Sequence, residues 1–123
     1  MDLKNQTQKR IIKFRGQNIS GHWNYGLLCN DKDKDSDYEW FISNSAGKPY
    51  AFGCIEKTIG QFTGFYDKNK KEIYEGDIIK GLCRNWVVFF QEGLFKTKVG
   101  QYLLEGEFEI IGNIHENPEL LNP

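Results

Sequence analysis

The chain has 123 residues, about one domain, and 16 Lys and Arg stand against 17 Asp and Glu for a net charge of −1. That balance argues against a dedicated DNA binder, which presents a basic face and a high pI. With 9 Phe, 6 Tyr and 3 Trp, the chain carries enough apolar area to build a core without disulfides or a metal.

Residues 1–10 are polar, lack an apolar period and read as a flexible leader. Residues 11–123 read as a single β domain, with an N-terminal β part over 11–56 and a barrel-like part over 57–123. Ile12 and Phe14, then Trp23, Tyr25, Leu27 and Cys29, alternate with polar or small residues. Period two marks half-buried strands, and the stretch from Gly16 to Gly21 supplies the loop of a hairpin. Asn30 to Asp37 carries only charged and polar side chains and reads as an exposed loop. Tyr38 to Ser43 and Tyr50 to Ile55 follow as strands with turn chemistry between them.

The run TIGQFTGFYDKNKKEIYEGDII, from Thr58 to Ile79, is the most densely marked part of the chain. Phe62, Phe65 and Tyr66 form a short aromatic stretch, and Asp67 to Lys71 a charged turn. Glu75-Gly76-Asp77 reads as a tight turn before Ile78 and Ile79, with Gly76 at positive φ or too close to a neighbour for a side chain. In small SH3-like barrels this arrangement opens a long bent strand. Trp86 to Phe90 is the strongest strand signal, turning at Glu92-Gly93 into Phe95, Thr97 and Val99. Phe108 to Ile114 reads as a last strand, with Gly112 marking a bulge or close crossing. Asn117 then caps one terminal helical turn, with Pro118 at its first position. These elements predict an all-β fold, or a β-dominated α+β fold at most. It takes the form of a small SH3-like barrel or a strongly bent antiparallel sheet, with an N-terminal β-hairpin part and a short C-terminal helical turn.

The chemistry-bearing residues are sparse. Cys29, Cys54 and Cys83 are odd in number, widely spaced and without a CxxC pair. They read as small, mostly buried thiols of a cytoplasmic protein, in keeping with the lack of a signal peptide or long apolar run. His22 alternates onto the face opposite Trp23 and reads as a surface residue, and His115 follows a strand end. Asp31, Asp33, Asp35 and Asp37 start like a calcium loop. Ser36 and Ile42, however, stand where that loop needs Gly and a bidentate Glu, so no metal site is assigned. No Ser-His-Asp order, Gly-rich phosphate loop or ligand pair is present. No catalytic residue and no cofactor are assigned, and the chain reads as a non-enzyme.

Lys68, Lys70, Lys71, Lys80 and Arg84 form a modest basic patch that can touch nucleic acid weakly. The rings Phe62, Tyr66, Tyr74, Trp86, Phe89 and Phe90 can stack on bases, but they serve equally as core and subunit interface. Lys4, Lys9, Arg10, Lys13 and Arg15 crowd the start of the chain, while five glutamates and no Lys or Arg follow from Glu105 onward. Such opposed ends can steer subunits together, or pair within one chain if the first and last strands are neighbours.

Blocks along the chain resemble the YopX family of phage- and prophage-encoded proteins. They are Ile12-Lys13-Phe14-Arg15-Gly16, Trp23-Asn24-Tyr25-Gly26, Gly60-Gln61-Phe62-Thr63-Gly64, Glu72-Ile73-Tyr74-Glu75-Gly76-Asp77-Ile78, Ile111-Gly112-Asn113-Ile114 and Glu116-Asn117-Pro118-Glu119-Leu120-Leu121. Asn69-Lys70 stands where that family usually has an Asn-Gly tip, and His115 where it often has an aromatic residue. The resemblance implies no biochemical activity and brings no functional residues. It favours a non-enzymatic, self-assembling interaction module that meets an unknown host or phage protein. The alternative is a nucleic-acid-binding accessory protein built on an SH3-like barrel. Neither reading involves a membrane.

Overall fold

The computed structural model describes residues 10–32, 36–43, 51–98, 101–102 and 105–121. The leader read over residues 1–10 lies outside these, Arg10 apart, as do Asp33, Asp35, Tyr50 and Val99. The larger sheet contains β1 (Phe14–Gln17), β2 (Trp23–Asn30), β3 (Trp40–Ser43), β4 (Ala51–Cys54), β5 (Gly60–Tyr66) and β6 (Glu72–Tyr74). Their order in space is β4-β3-β2-β1-β5-β6, and every pairing is antiparallel. The first four strands form a meander. A 3-10 turn over Glu56–Thr58 then returns the chain to the far side of β1. Buried Thr58 fastens that turn: its hydroxyl donates to the Ile55 carbonyl at 2.6 Å and accepts the Gln17 N–H at 2.9 Å.

The second sheet, in the order β12-β7-β8, joins β7 (Asp77–Ile79), β8 (Trp86–Val87) and β12 (Ile110–Asn113). The third, in the order β11-β10-β9, joins β9 (Phe89–Gln91), β10 (Leu94–Lys98) and β11 (Gln101–Tyr102). The fold is strand-rich and antiparallel, and among the described residues no sheet closes into a barrel. The larger sheet runs from Phe14 to Tyr74, so strands on both sides of residue 57 share it.

Several predicted elements take a different course. The run from Trp86 to Phe90 is not one strand. Val88 separates β8 from β9 and is 1% exposed. Its N–H donates to the Asp77 carbonyl at 2.8 Å and its carbonyl accepts the Gly76 N–H at 2.9 Å, so the chain changes sheet at this residue. The first strand begins at Phe14, because Ile11 and Ile12 are each 55% exposed. The aromatic stretch around Phe62 is a full strand, β5, with a register shift between Phe62 and Tyr66. Glu92 and Gly93 form the expected tight turn, with φ of 55° and 78°, the paired positive angles of a two-residue hairpin loop.

Near the C-terminus, the register of β12 shifts between Ile110 and Gly112, as that glycine suggested. A 3-10 turn follows over Pro118–Leu121. The Asn117 side chain does not cap that turn; its oxygen accepts the Asn113 N–H at 3.2 Å and binds back to β12. The first and last strands are not neighbours, since β12 lies beside β7. Only Cys54 of the three cysteines is buried, and Cys29 and Cys83 are exposed. Cys29 lies near the end of β2, and Cys83 in the connector before β8.

The core gathers Ile73, Ile79 and Val88, with Phe65, Trp86, Phe95, Phe108 and Ile110 packed around them. Fully burying an aliphatic side chain of this size contributes about 1.5–3 kcal/mol. Ile73 and Ile79 flank the 74–77 turn, so the best-packed part of the molecule directly supports the site described next.

Candidate functional site

Three of the sequence blocks meet at a buried ion pair. The Arg15 guanidinium lies 2.8 Å from the Asp77 carboxylate, and the two side chains are 8% and 3% exposed. Arg15 comes from β1 and sits between two rings, 4.7 Å from the Trp23 centroid and 5.0 Å from that of Tyr74. The antiparallel register makes this possible, because Arg15 pairs with Tyr25 and Gln17 with Trp23, so all four share one face of the sheet. The other Asp77 oxygen accepts the Tyr74 N–H at 2.8 Å. Burial pushes the Asp77 carboxyl above its ordinary range, against the pull of Arg15 and the Tyr74 N–H.

Gly76 forms the turn between Tyr74 and Asp77, with φ of 91°. A Cβ there would lie 3.3 Å from His115 Nε2 and 3.8 Å from an Arg15 nitrogen. His115 packs on Trp23 with centroids 5.9 Å apart. Burial lowers its pKa, the charges of Arg15 and Lys57 lower it further, and Glu116 opposes them. The Glu116 carboxylate accepts from the Trp23 indole N–H and from the Gln17 amide. Arg15 of β1 and Lys13 just before it therefore find partners inside the chain: Arg15 on Asp77, and Lys13 on Glu72 at 2.6 Å. Neither pairs with the glutamates from Glu105 onward, so of the two readings of the opposed ends, pairing within the chain does not hold for these two residues.

Asp67 is a second buried acid that sequence reasoning placed only in a charged turn. It is 2% exposed. One oxygen accepts the N–H groups of Asn69 and Lys71 at 2.8 and 2.9 Å, and the other accepts that of Ile110 at 3.1 Å. Burial works against its charge, but these three N–H groups hold its carboxyl below the usual carboxylate range. Asp67 thus shapes the hairpin tip and anchors the start of β12. An Asp two residues before Asn in a turn was the available sign; the bond to Ile110 had none.

The five basic residues read as a patch divide in the structure. Lys68, Lys80 and Arg84 line one cavity of about 630 Å³, together with Trp86, Phe108, Glu107 and Glu109. Lys70 lines a neighbouring depression beside Lys68, with Tyr66 and Glu105. Lys71 lines neither. Backbone bonds set the cavity's walls: the Lys68 N–H reaches the Phe108 carbonyl at 2.7 Å, and the Lys80 N–H the Glu109 carbonyl at 3.0 Å. Gly81 permits the Trp86 ring to approach, since a Cβ there would meet that ring at 2.7 Å. Lys68 forms an ion pair with Glu109 at 3.1 Å. Of the six rings considered for stacking, Phe62 and Tyr74 are core residues at 2% exposure, while Phe90 is 53% exposed.

Beyond Trp23 the same face of β2 is apolar and partly open, with Tyr25 at the edge of the lock, its ring 5.6 Å from that of Tyr74. Tyr25 and Leu27 are 46% and 51% exposed, and Cys29 follows in the same direction. Phe41 of β3 pairs with Cys29 and so shares that face. Among the described residues no three His, Cys, Asp or Glu side chains cluster as a metal-holding group. No helix among them is long and apolar enough to cross a membrane.

These features define a strand-rich antiparallel domain held by a buried Arg–Asp lock. The family described as YopX protein matches residues 5–122, and the chain belongs to it. It is similar to protein EF1440 from Enterococcus faecalis, whose crystal structure aligns with a TM-score of 0.57 at 24% identity, over 93% of this chain and 100% of that one. At that identity the likeness is one of fold. No curated protein matches the chain.

Proposed function

We propose that the protein is a non-catalytic interaction module that self-assembles. The observation supporting this reading is the open apolar stripe of Tyr25, Leu27 and Cys29 on β2, continued by Phe41 on β3. Water gains when such a stripe is covered, at roughly 25 cal/mol for each Å² of apolar surface removed. A stable pairing needs roughly 800 Å² from each partner, so the stripe is the centre of a wider contact over β2 and β3. Its surroundings suit that role, because apolar centres with polar rims characterise protein interfaces.

The reading includes a phage or prophage origin, suggested by the family resemblance, and the host cytoplasm as the place of action, suggested by the lack of a signal-peptide pattern in the sequence. An unknown host or phage protein is the alternative occupant of the same stripe. Light scattering at micromolar concentration tests the proposal. A multiple of the 14.3 kDa chain mass is expected, with dissociation when Tyr25 and Leu27 are both replaced by Lys. A monomer at every concentration sinks it.

A further inference from the structure

We propose that the cavity between the connector from Lys80 to Trp86 and the segment Phe108–Glu109 is a nucleotide site. It takes a planar base and at least one phosphate. This is a second site, separate from the stripe on β2.

Size is the first argument. At about 630 Å³ the cavity falls within the roughly 300–1,000 Å³ range of small-ligand sites, and it is far larger than a lone oxyanion requires. The second argument is charge. Lys80 and Arg84 are exposed, and among the described residues no carboxylate pairs with either. Two unneutralised cations four residues apart on one connector can hold a phosphate, with the Arg84 fork offering paired N–H donors.

The third argument is the aromatic wall. The Arg84 guanidinium lies 5.3 Å from the centroid of the Trp86 ring. That contact restrains the guanidinium beside the ring, and the exposed side chain keeps N–H groups open to an anion. Trp86 and Phe108 both line the cavity, so a flat base has ring surface to lie against, and every base has a π-face. Glu107, also on the lining, is an acceptor for a ribose hydroxyl or an exocyclic amino group. Lys68 is already neutralised by Glu109. The cavity therefore brings together two cations without a carboxylate partner among the described residues, Lys80 and Arg84, and an acceptor at Glu107, the groups that a phosphate and a base or ribose require.

Two sources carry this chemistry: a free mononucleotide and a residue of a single strand. Separate arms of one titration distinguish them. The full chain is titrated by isothermal calorimetry with adenosine monophosphate, adenosine, inorganic phosphate and a short single-stranded oligodeoxynucleotide. Adenosine monophosphate is expected to bind saturably at millimolar concentration or below, with adenosine and phosphate each weaker by about tenfold or more. Lys80→Gln and Arg84→Gln should each weaken it by about tenfold, while Lys32→Gln, a cation on a distant loop, leaves it unchanged. Equal binding of mononucleotide and oligonucleotide per site assigns the free nucleotide. Binding of the oligonucleotide alone, weakened by the same two variants, assigns the single strand. No saturable binding of either, or equal losses with Lys32→Gln, overturns the proposal. Melting curves of the variants should match the parent, because both side chains are exposed.

Discussion

Arg15 and Asp77, far apart in the chain, form a 2.8 Å ion pair that is shielded from water on both sides. The pair joins β1 to the turn that starts the second sheet, and Trp23 and Tyr74 close over it. A buried charge that loses its partner is costly, so Arg15→Met is expected to destabilise the fold by about 3–5 kcal/mol. Asp77→Asn should do the same through the stranded guanidinium. The double variant should fall short of the sum by more than about 1 kcal/mol. Urea unfolding of the four proteins reads this directly, and additive losses would contradict the lock.

Gly76 has φ of 91°, a region that costs an L-residue about 1–2 kcal/mol. A side chain there also presses on His115, 3.3 Å from the added carbon. Gly76→Ala is therefore expected to lower stability by at least that amount. An unchanged denaturation midpoint would show that the turn can rearrange.

His115 makes stability depend on pH. Its folded pKa lies below the ordinary value of 6.5, so the unfolded chain takes up the proton first as pH falls. The contribution is fully present above pH 6.5 and is lost as pH drops through the folded pKa. Arg15 and Lys57 face the ring and disfavour its charge, while Glu116 favours it. Asp77 runs the other way: its raised carboxyl favours folding in acid and loses that contribution as pH rises through its folded pKa. Comparing the chain with His115→Gln cancels the Asp77 effect. The stability difference should shrink on going from about pH 7 to pH 5. A constant difference would remove His115 from the account.

Lys70 holds φ of 65° at the hairpin tip, where glycine would carry no steric penalty. Asp67 fixes the tip through the N–H groups of Asn69 and Lys71, so the turn cannot relax around the strain. Lys70→Gly should stabilise the protein by about 0.5–1 kcal/mol, the αL cost less the added entropy of glycine. A rise in melting temperature checks it, and a fall would mean that the lysine side chain has a compensating contact.

The sequence by itself determined the strand content, the turn at Glu92-Gly93, the need for glycine at position 76 and the family. These are local or pattern properties. Period-two alternation follows from the pleat of a single strand, and a positive φ from what one residue can tolerate. The tertiary structure decided the rest. That β1 lies against β5, that β12 lies beside β7, and that Val88 carries the chain from one sheet to another all depend on backbone hydrogen bonds between distant segments. Every strand offers the same donors and acceptors, so its own residues do not name its partner. The candidate sites divide in the same way. Lys68, Lys80 and Arg84 were visible as a basic set, but only the fold placed them around one cavity with Trp86 and left Lys71 outside it. In the sequence Arg15 stood in a basic run, Asp67 in a charged turn and Asp77 in a tight turn, with no sign that any of them is buried. Each became a buried anchor because folding removed water from it while supplying, across the sheets, the opposite charge or the N–H groups that replace that water.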